Sequence, residues 1–257
     1  MNGADGMIWD PGIYGRFRGL RLRPALDLLR SLPSLPEGPV VDLGCGAGAV
    51  SEALRATLGK DRQRVGVDAS AEMLADARGR YDDLVQADIA TWQPETPPAL
   101  IFSNAALQWL GDHEVLLPRL AATLTPGGVL AVQMPHQNDA PSHRTWLHLA
   151  HQLFGVEPDD VPGILEPAAY HHILAPLGEV QLWETTYFQV LAPSDDGHPV
   201  RRFTEATFAR PLLRSLDPER RAALIAACDA TMAGAYPASE DGSVFFPFQR
   251  LFFTVRV

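Results

Sequence analysis

Short apolar runs alternate with longer helical stretches through the first half of this chain. Five runs have the length and apolar character of buried strands, at residues 40–43, 64–68, 84–85, 99–103 and 129–134. The stretches between them space their apolar residues as helices do, at residues 47–58, after the N-cap candidate Ser70, and at residues 112–124. This alternation predicts βα units built around a mainly parallel sheet.

The pattern changes after residue 135. Helices are predicted at residues 146–154, 168–177, 201–216 and 218–235, and strands at residues 180–191 and 244–257. We therefore predict one α/β domain over residues 1–257, a doubly wound, mostly parallel, seven-stranded Rossmann-like sheet. Residues 30–135 form its cofactor-binding core, and residues 136–170 and 192–243 form a helical cap over the substrate site. Open sheets of this kind bind ligands at the carboxyl ends of their strands.

Composition narrows the function classes. The apolar fraction of 46% supports a sizeable core, and the net charge of −10 argues against a nucleic-acid-binding protein. Two cysteines, Cys45 and Cys228, cannot hold a fold of this size together by disulfide bonds. No apolar run has the length of a membrane span. No basic start followed by an apolar stretch marks a leader, so we expect a cytoplasmic protein without a membrane or nucleic-acid partner. Oligomeric state has no direct signal, and a monomer is favoured.

A glycine-rich turn follows the first strand. In Val41-Asp42-Leu43-Gly44-Cys45-Gly46-Ala47-Gly48 the glycines allow a sharp turn and a close backbone approach to a ligand. We expect the following helix N-terminus to offer unpaired N–H groups to negative charge. Gly44, Gly46 and Ala49 also satisfy the nicotinamide or flavin fingerprint, so the loop alone leaves that alternative open.

Acidic residues after the next strands shift the balance toward a methyl donor. Asp68 ends the second strand, where a carboxylate can hold both ribose hydroxyls, and Asp88 follows the third, where it can accept from an adenine amino group. Together with Asp42, Asn104 and the Leu124–Gly128 turn, they fit S-adenosylmethionine better than a dinucleotide. A Tyr-x-x-x-Lys proton relay is absent, since Lys60 is the only lysine.

As an ordered set, these motifs resemble the class I S-adenosylmethionine-dependent methyltransferases. The set comprises Val-Asp-Leu-Gly-Cys-Gly-x-Gly, Gly-Val-Asp-x-Ser-x-x-Met-Leu, Ala-Asp-Ile and Leu-x-Pro-Gly-Gly, within residues 40–132. The resemblance implies S-adenosylmethionine as cofactor. The residues expected to bind it are Trp9, Tyr14, Arg21, Asp42, Gly44, Cys45, Gly46, Gly48, Asp68, Ala69, Met73, Asp88, Ile89, Asn104, Ala105 and Gln108.

Longer strings are similar to the trans-aconitate 2-methyltransferase family. They include Trp-Asp-Pro-Gly-Ile-Tyr at residues 9–14, Ile-Phe-Ser-Asn-Ala-Ala-Leu-Gln-Trp-Leu at 101–110 and Trp-Glu-Thr-Thr-Tyr at 183–187. The chain departs from the family over residues 136–165 and 192–245, where Phe208-Ala209-Arg210-Pro211 stands for Gly-Leu-Arg-Pro. This resemblance implies monomethyl-ester formation on a tricarboxylate, trans-aconitate first, with S-adenosylhomocysteine as the second product.

Such a reaction demands little of the side chains. A carboxylate is ionised near neutral pH and needs no general base, so we expect no catalytic residue in the strict sense and no metal. The site must instead bind the carboxylates of a small anionic substrate through cationic side chains. The substrate-binding candidates are Trp109, His136, Arg144, Tyr170, Arg210 and Arg250. Three alternatives stay open: a methyltransferase for another small metabolite, an NAD-dependent oxidoreductase, and a non-enzymatic binding module.

Overall fold

The computed structural model describes residues 18–156 and 163–257, with side chains from residue 22 onward. The strands of the described chain are β1 (Val40–Leu43), β2 (Arg64–Asp68), β3 (Asp83–Gln86), β4 (Leu100–Asn104), β5 (Val129–Pro135), β6 (Glu179–Leu191) and β7 (Val244–Arg256). The helices are α1 (Arg18–Arg30), α2 (Ser51–Leu58), α3 (Ala71–Asp76), α4 (His113–Ala121), α5 (Pro141–Phe154), α6 (Pro167–Leu174), α7 (Pro199–Glu205), α8 (Arg210–Ser215) and α9 (Pro218–Ala235). A short 3₁₀ turn, Leu107–Trp109, follows β4.

The seven strands form one mostly parallel sheet in the order β3-β2-β1-β4-β5-β7-β6. β1 pairs in parallel with β2 on one side and with β4 on the other, and β2 pairs in parallel with β3. All four residues of β1 are buried, as expected of a central strand covered on both faces. The predicted α/β class and seven-stranded sheet are therefore confirmed.

The chain divides into two compact units. Of the described residues, the core unit comprises residues 18–134, 165–184 and 251–257, and the second unit comprises residues 135–156, 163–164 and 185–250. The predicted helical cap over residues 136–170 and 192–243 stays a prediction. None of the described helices combines the length and the apolar character needed to cross a membrane.

Two predicted helices differ from the observed ones for backbone reasons. α2 begins at Ser51 rather than residue 47, because Gly46 and Gly48 hold positive φ angles of 52° and 75° that a helix does not tolerate. The helix predicted over residues 201–216 is divided into α7 and α8. Pro211 lies in the first turn of α8, where its missing N–H leaves no helical bond unmade.

Candidate cofactor and substrate sites

The parallel strands bring the predicted cofactor residues to one edge of the core unit. β1, β2, β3 and β4 are neighbours running in the same direction, so their carboxyl ends lie side by side. A Cβ built on Gly44 would lie 2.2 Å from the Cβ of Ala106 and 3.5 Å from the Cδ1 of Ile89. The loops after β1, β3 and β4 therefore meet at Gly44, which explains why only glycine fits there.

Gly46 differs from the other loop glycines because open space lies beside it. Its φ is +52°, and a Cβ built there would meet nothing within 4 Å. A Cβ on Gly48, in contrast, would lie 2.7 Å from Arg80 and 3.1 Å from the ring of Tyr81. Gly48 therefore serves internal packing, whereas Gly46 leaves its backbone open to a ligand.

The N–H groups of this loop are largely used within the protein. Gly44 and Cys45 both donate to the carbonyl of Val67, at 2.8 and 3.0 Å, and Gly48 donates to the carbonyl of Cys45 at 2.9 Å. Gly46 donates to the carboxylate of Asp68 at 2.9 Å. These four N–H groups therefore hold the loop in shape. The prediction of unpaired N–H groups concerned the N-terminus of the following helix, where Val50 makes no side-chain cap hydrogen bond, and it stays a prediction.

Asp68 fixes the shape of the loop from the end of β2. One of its carboxylate oxygens accepts from Gly46, and the other accepts from the N–H of Ser70 at 2.9 Å. Ser70 in turn caps α3 by accepting from Met73, as predicted. Ala69 is exposed and Met73 half-buried at the start of this helix. The Asp68 carboxylate thus stands half-buried at the carboxyl edge of the sheet, held in one orientation by two backbone donors.

The loop carrying Asp88 and Ile89 is anchored by an arginine that the sequence reasoning missed. Arg119 on α4 donates to the carbonyls of Ile89 and Trp92, each at 2.6 Å. Asp88 itself is exposed, and its carboxylate accepts from the N–H of Ala90 at 2.8 Å. No local motif joins Arg119 to this loop, which lies 30 residues earlier in the chain at Ile89.

Two acceptor atoms without partners lie at the end of β4 and in the turn that follows it. The Oδ1 of Asn104 and the Oε1 of Gln108 are buried and make no hydrogen bond within the described structure. The Nε2 of Gln108 donates to the carbonyl of Ala105 at 2.8 Å, and Ala105 holds a positive φ of 55°. Buried polar atoms are nearly always paired in folded proteins, so two orphan acceptors beside a strained residue indicate a place for a donor-bearing ligand.

A buried histidine sets the position of this 3₁₀ turn. The Nε2 of His113 lies 2.9 Å from the carbonyl of Leu107, and its Nδ1 lies 2.7 Å from the hydroxyl of Tyr170. A carbonyl can only accept, so Nε2 carries the proton and Nδ1 accepts from Tyr170. Burial lowers the pKa of His113, which agrees with this neutral form.

Tyr170 is placed differently from our prediction. It is fully buried, its ring packs on Phe253, and its hydroxyl also accepts from the N–H of Leu165 at 3.2 Å. Because the core and His113 already use this side chain, it offers nothing to a substrate, and we remove it from the substrate-binding set. Trp109, at the end of the same turn, remains half-buried.

Asp42 and Cys45 support the glycine loop from inside the core. Asp42 is 2% exposed and accepts from the hydroxyl of Tyr81 at 2.6 Å. Burial raises the pKa of Asp42 to about 7, although the Tyr81 hydrogen bond lowers it. The thiol of Cys45 packs with Leu74 and Tyr81, and burial raises its pKa. Both side chains are thus enclosed by protein, a correction to the direct cofactor contacts predicted for them.

The second unit holds the remaining substrate candidates. Arg250 on β7 is 4% exposed, and its guanidinium lies 4.8 Å from the centre of the Phe248 ring. Arg210 at the start of α8 and His136 after β5 are half-buried, and Arg144 on α5 is exposed. Arg210, His136 and Arg250 each have an interaction within the structure.

The predictions for Trp9 and Tyr14 lie outside the described residues. The backbone of Arg21 falls within α1, and its side chain lies outside the described part of the chain. Among residues 18–156 and 163–257, no three His, Cys, Asp or Glu side chains are grouped as a metal site requires.

The core unit fits S-adenosylmethionine better than a dinucleotide. The open face of Gly46 permits close approach, and the orphan acceptors of Asn104 and Gln108 suit a ligand with amino or hydroxyl donors. Four N–H groups of the loop, those of Gly44, Cys45, Gly46 and Gly48, are already used within the protein.

Comparison with known proteins agrees with this geometry. A family model described as a methyltransferase domain matches residues 40–128. Among solved structures, the chain is similar in fold to Bacillus subtilis YcgJ, with TM-score 0.58, 14% identity, and coverage of 90% of this chain and 97% of that one. A Haemonchus contortus phosphoethanolamine N-methyltransferase solved with S-adenosylhomocysteine gives TM-score 0.52 and 17% identity, covering 91% of this chain and 52% of that one.

Curated relatives extend over nearly the full chain. The trans-aconitate 2-methyltransferase of Methylobacterium radiotolerans is 43% identical over 96% of this chain and 98% of its own length. Those of Azoarcus sp. and Klebsiella pneumoniae are 42% and 39% identical, over 95% and 96% of this chain and 97% of their own lengths. At this identity and coverage, the chain belongs to the trans-aconitate 2-methyltransferase family, within the class I S-adenosylmethionine-dependent methyltransferases.

Proposed function

We propose that this protein transfers the methyl group of S-adenosylmethionine to one carboxylate of trans-aconitate, forming a monomethyl ester and S-adenosylhomocysteine. The observation that carries the proposal is the open backbone at Gly46, flanked by the fixed carboxylate of Asp68 and followed across the sheet by the orphan acceptors of Asn104 and Gln108. The printed activity of relatives about 40% identical supports the same reaction.

The cofactor, when bound, supplies an activated methyl group on a sulfonium, which a carboxylate attacks directly. The chain's own residues then have to bind, orient and exclude water rather than move protons. Gly46 lets the backbone approach the cofactor. Asp68 accepts from ribose hydroxyls, and Asp88 and Ile89 line the adenine end. Asn104 and Gln108 accept from polar donors of the cofactor.

Recognition of the acceptor requires cationic side chains. Trans-aconitate carries three carboxylates, so two stay charged while the third reacts. Guanidinium groups bind carboxylates in bidentate fashion, which favours Arg210 and Arg250 for this task, with Arg144 and His136 assisting. The burial of Arg250 against Phe248 supports its inclusion, since a desolvated cation binds a carboxylate more strongly than an exposed one.

The substrate is tested with labelled S-adenosylmethionine and a panel of di- and tricarboxylates. We expect label transfer to trans-aconitate with a kcat/KM above that for every other acid. Transfer to a different acceptor with higher kcat/KM would assign another substrate. Tight binding of S-adenosylhomocysteine without transfer to any acid would point to a binding module.

The role of Arg210 is tested by comparing two arginines of α8. Arg214 lies one turn further along the same short helix and is exposed, so Arg214→Leu is the matched control for Arg210→Leu. Loss of a charged hydrogen bond, about 1.5–3 kcal/mol, predicts a fall of roughly tenfold or more in kcat/KM for trans-aconitate in Arg210→Leu. We expect little change in the control. A loss under about threefold, or an equal loss in both variants, removes Arg210 from the substrate site.

A further inference from the structure

One cavity of the core unit is lined mainly by charged side chains. It has a volume of about 380 Å³ and lies between α2 and the segment joining α3 to β3. Its charged lining residues are Arg55, Lys60, Arg64, Arg80, Glu52 and Asp82. Cations thus exceed acids locally, in a chain whose net charge is −10. The volume falls in the range of small-molecule sites, and the polar lining suits a hydrophilic ligand.

Arg64 provides a fixed cation in this cavity. It is 8% exposed, its main-chain N–H donates to Asp82 at 2.8 Å, and its guanidinium bonds the same carboxylate at 3.4 Å. The Nε–H of Arg64 has no acceptor among the described residues. A buried donor without an acceptor is destabilising, and an anion in the cavity would supply the missing acceptor.

The other three cations of the lining form no ion pair within the described structure. Arg55, Lys60 and Arg80 are exposed and form no ion pair with the described residues. Asp82 is already engaged by Arg64, which leaves Glu52 as the remaining acid of the lining. Like charges around one cavity repel one another, and a bound anion converts this repulsion into attraction.

We propose that this cavity binds a small multivalent anion through phosphate or carboxylate groups. Guanidinium groups from α2, β2 and the segment before β3 approach such a ligand from different elements, which favours a compact polyanion over a single charge. None of these cations belongs to the cofactor or substrate set above. Binding to this cavity can be measured without methyl transfer, so its outcome is distinguishable from that of the proposed reaction.

The test is a titration of the ¹⁵N-labelled full chain followed by amide NMR shifts at low ionic strength. Pyrophosphate probes phosphate oxygens, and citrate probes carboxylates. We expect saturable shifts at residues 51–55 and 79–82 with at least one probe, weakening as salt is added. Saturation by pyrophosphate alone assigns a phosphate ligand, and saturation by citrate alone assigns a carboxylate ligand. If neither probe shifts these amides at millimolar concentration, the proposal is overturned.

Variants separate the cavity from general charge effects. Arg55→Gln/Lys60→Gln removes two lining cations, and Arg30→Gln/Arg78→Gln removes two exposed arginines that do not line the cavity. The lining pair is expected to raise the Kd of the bound probe about tenfold or more, as expected for lost charged hydrogen bonds, and the control pair to leave it nearly unchanged. Arg80 is kept because its side chain lies against Gly48 of the cofactor loop. Equal weakening in both pairs would mean that the shifts report net charge and not a site.

Discussion

At the scale of single residues, the three glycines of one motif have different tasks. Gly44 and Gly48 are required by atoms of the protein itself, because a Cβ at either would enter Ala106 or Arg80. Gly46 alone faces open space. The three glycines look equivalent in the sequence. In the packed structure, Gly46 is the one of the three whose backbone is open to a ligand.

Substitution of Gly46 tests this distinction. Gly46→Ala places a methyl group in the open space without a clash, at the strain of a left-handed backbone, about 1–2 kcal/mol. Gly155→Ala is the matched control, since Gly155 has φ +65°, open space for a Cβ, and a place at the end of α5. We expect similar losses of stability by chemical denaturation, and a calorimetric Kd for S-adenosylhomocysteine raised about tenfold or more in Gly46→Ala alone. Equal affinities in the two variants would contradict a ligand at Gly46.

The buried carboxyl group of Asp42 makes the free energy of unfolding fall as pH rises from about 4 to about 7. Burial raises its pKa from 3.8 to about 7 in the folded chain. As pH rises from about 4 to about 7, the unfolded chain loses this proton before the folded chain does. The contribution to stability is therefore present below pH 4 and is lost as pH approaches 7, at up to roughly 1.4 kcal/mol per pH unit.

Two variants check the sign. In Asp42→Asn, which cannot ionise, we expect the free energy of unfolding to fall less between pH 4 and pH 7 than in the native chain. Tyr81→Phe removes the hydrogen bond that lowers the pKa of Asp42. In this variant the free energy of unfolding should therefore keep falling to higher pH. Parallel curves for the native chain and Asp42→Asn, measured by urea unfolding at a series of pH values, would show that Asp42 does not titrate in this window.

At the scale of elements, α4 supports both loops that follow its neighbouring strands. Arg119 holds the loop after β3, and His113 holds the 3₁₀ turn after β4. Helix α4 can in this way set the distance between the Ile89 loop and the 3₁₀ turn. Helix α4 was predicted from its apolar spacing, but these two attachments were not.

The Arg119 clamp has a matched counterpart in the same unit. Arg62 bonds the carbonyls of Leu35, Pro36 and Gly38, at the opposite end of the strands. Arg119→Met and Arg62→Met each remove hydrogen bonds to backbone carbonyls and should lose comparable stability, about 1–3 kcal/mol. Only Arg119→Met is expected to raise the Kd for S-adenosylhomocysteine, by about tenfold, because only that loop carries Asp88 and Ile89. An unchanged Kd would limit Arg119 to a structural role.

At the scale of the whole molecule, ligand binding and stability are linked. A ligand that binds only the folded chain stabilises it by about 2.7 kcal/mol at a hundredfold excess over its Kd. We expect S-adenosylhomocysteine to raise the Tm by several degrees at this excess, and NAD to leave it unchanged, because the chain belongs to a family that uses S-adenosylmethionine. Differential scanning fluorimetry measures both. A rise with NAD and none with S-adenosylhomocysteine would reverse the cofactor assignment.

Much of the fold could be predicted because its signals are local. The period of apolar residues predicted every strand, and Ser70 was placed correctly as a cap, since both depend on neighbours a few residues away. The glycine motif and Asp68 were likewise found at a strand end, where parallel topology puts ligand sites. The reaction was predicted from the resemblance to a family. Side-chain chemistry alone had not decided between a methyltransferase and an NAD-dependent oxidoreductase.

Local features of the sequence were enough to specify the order of elements, the tight turn at residues 44–48 and the carboxylates beside it, because backbone sterics and periodicity act at short range. Which polar groups meet depends on the packed fold. It paired Tyr81 with Asp42 across 39 residues, joined Arg119 to Ile89 across 30, and enclosed Tyr170 with His113 across 57. Such partners are selected by the packing of whole elements, and that packing has no signature in any short stretch of chain.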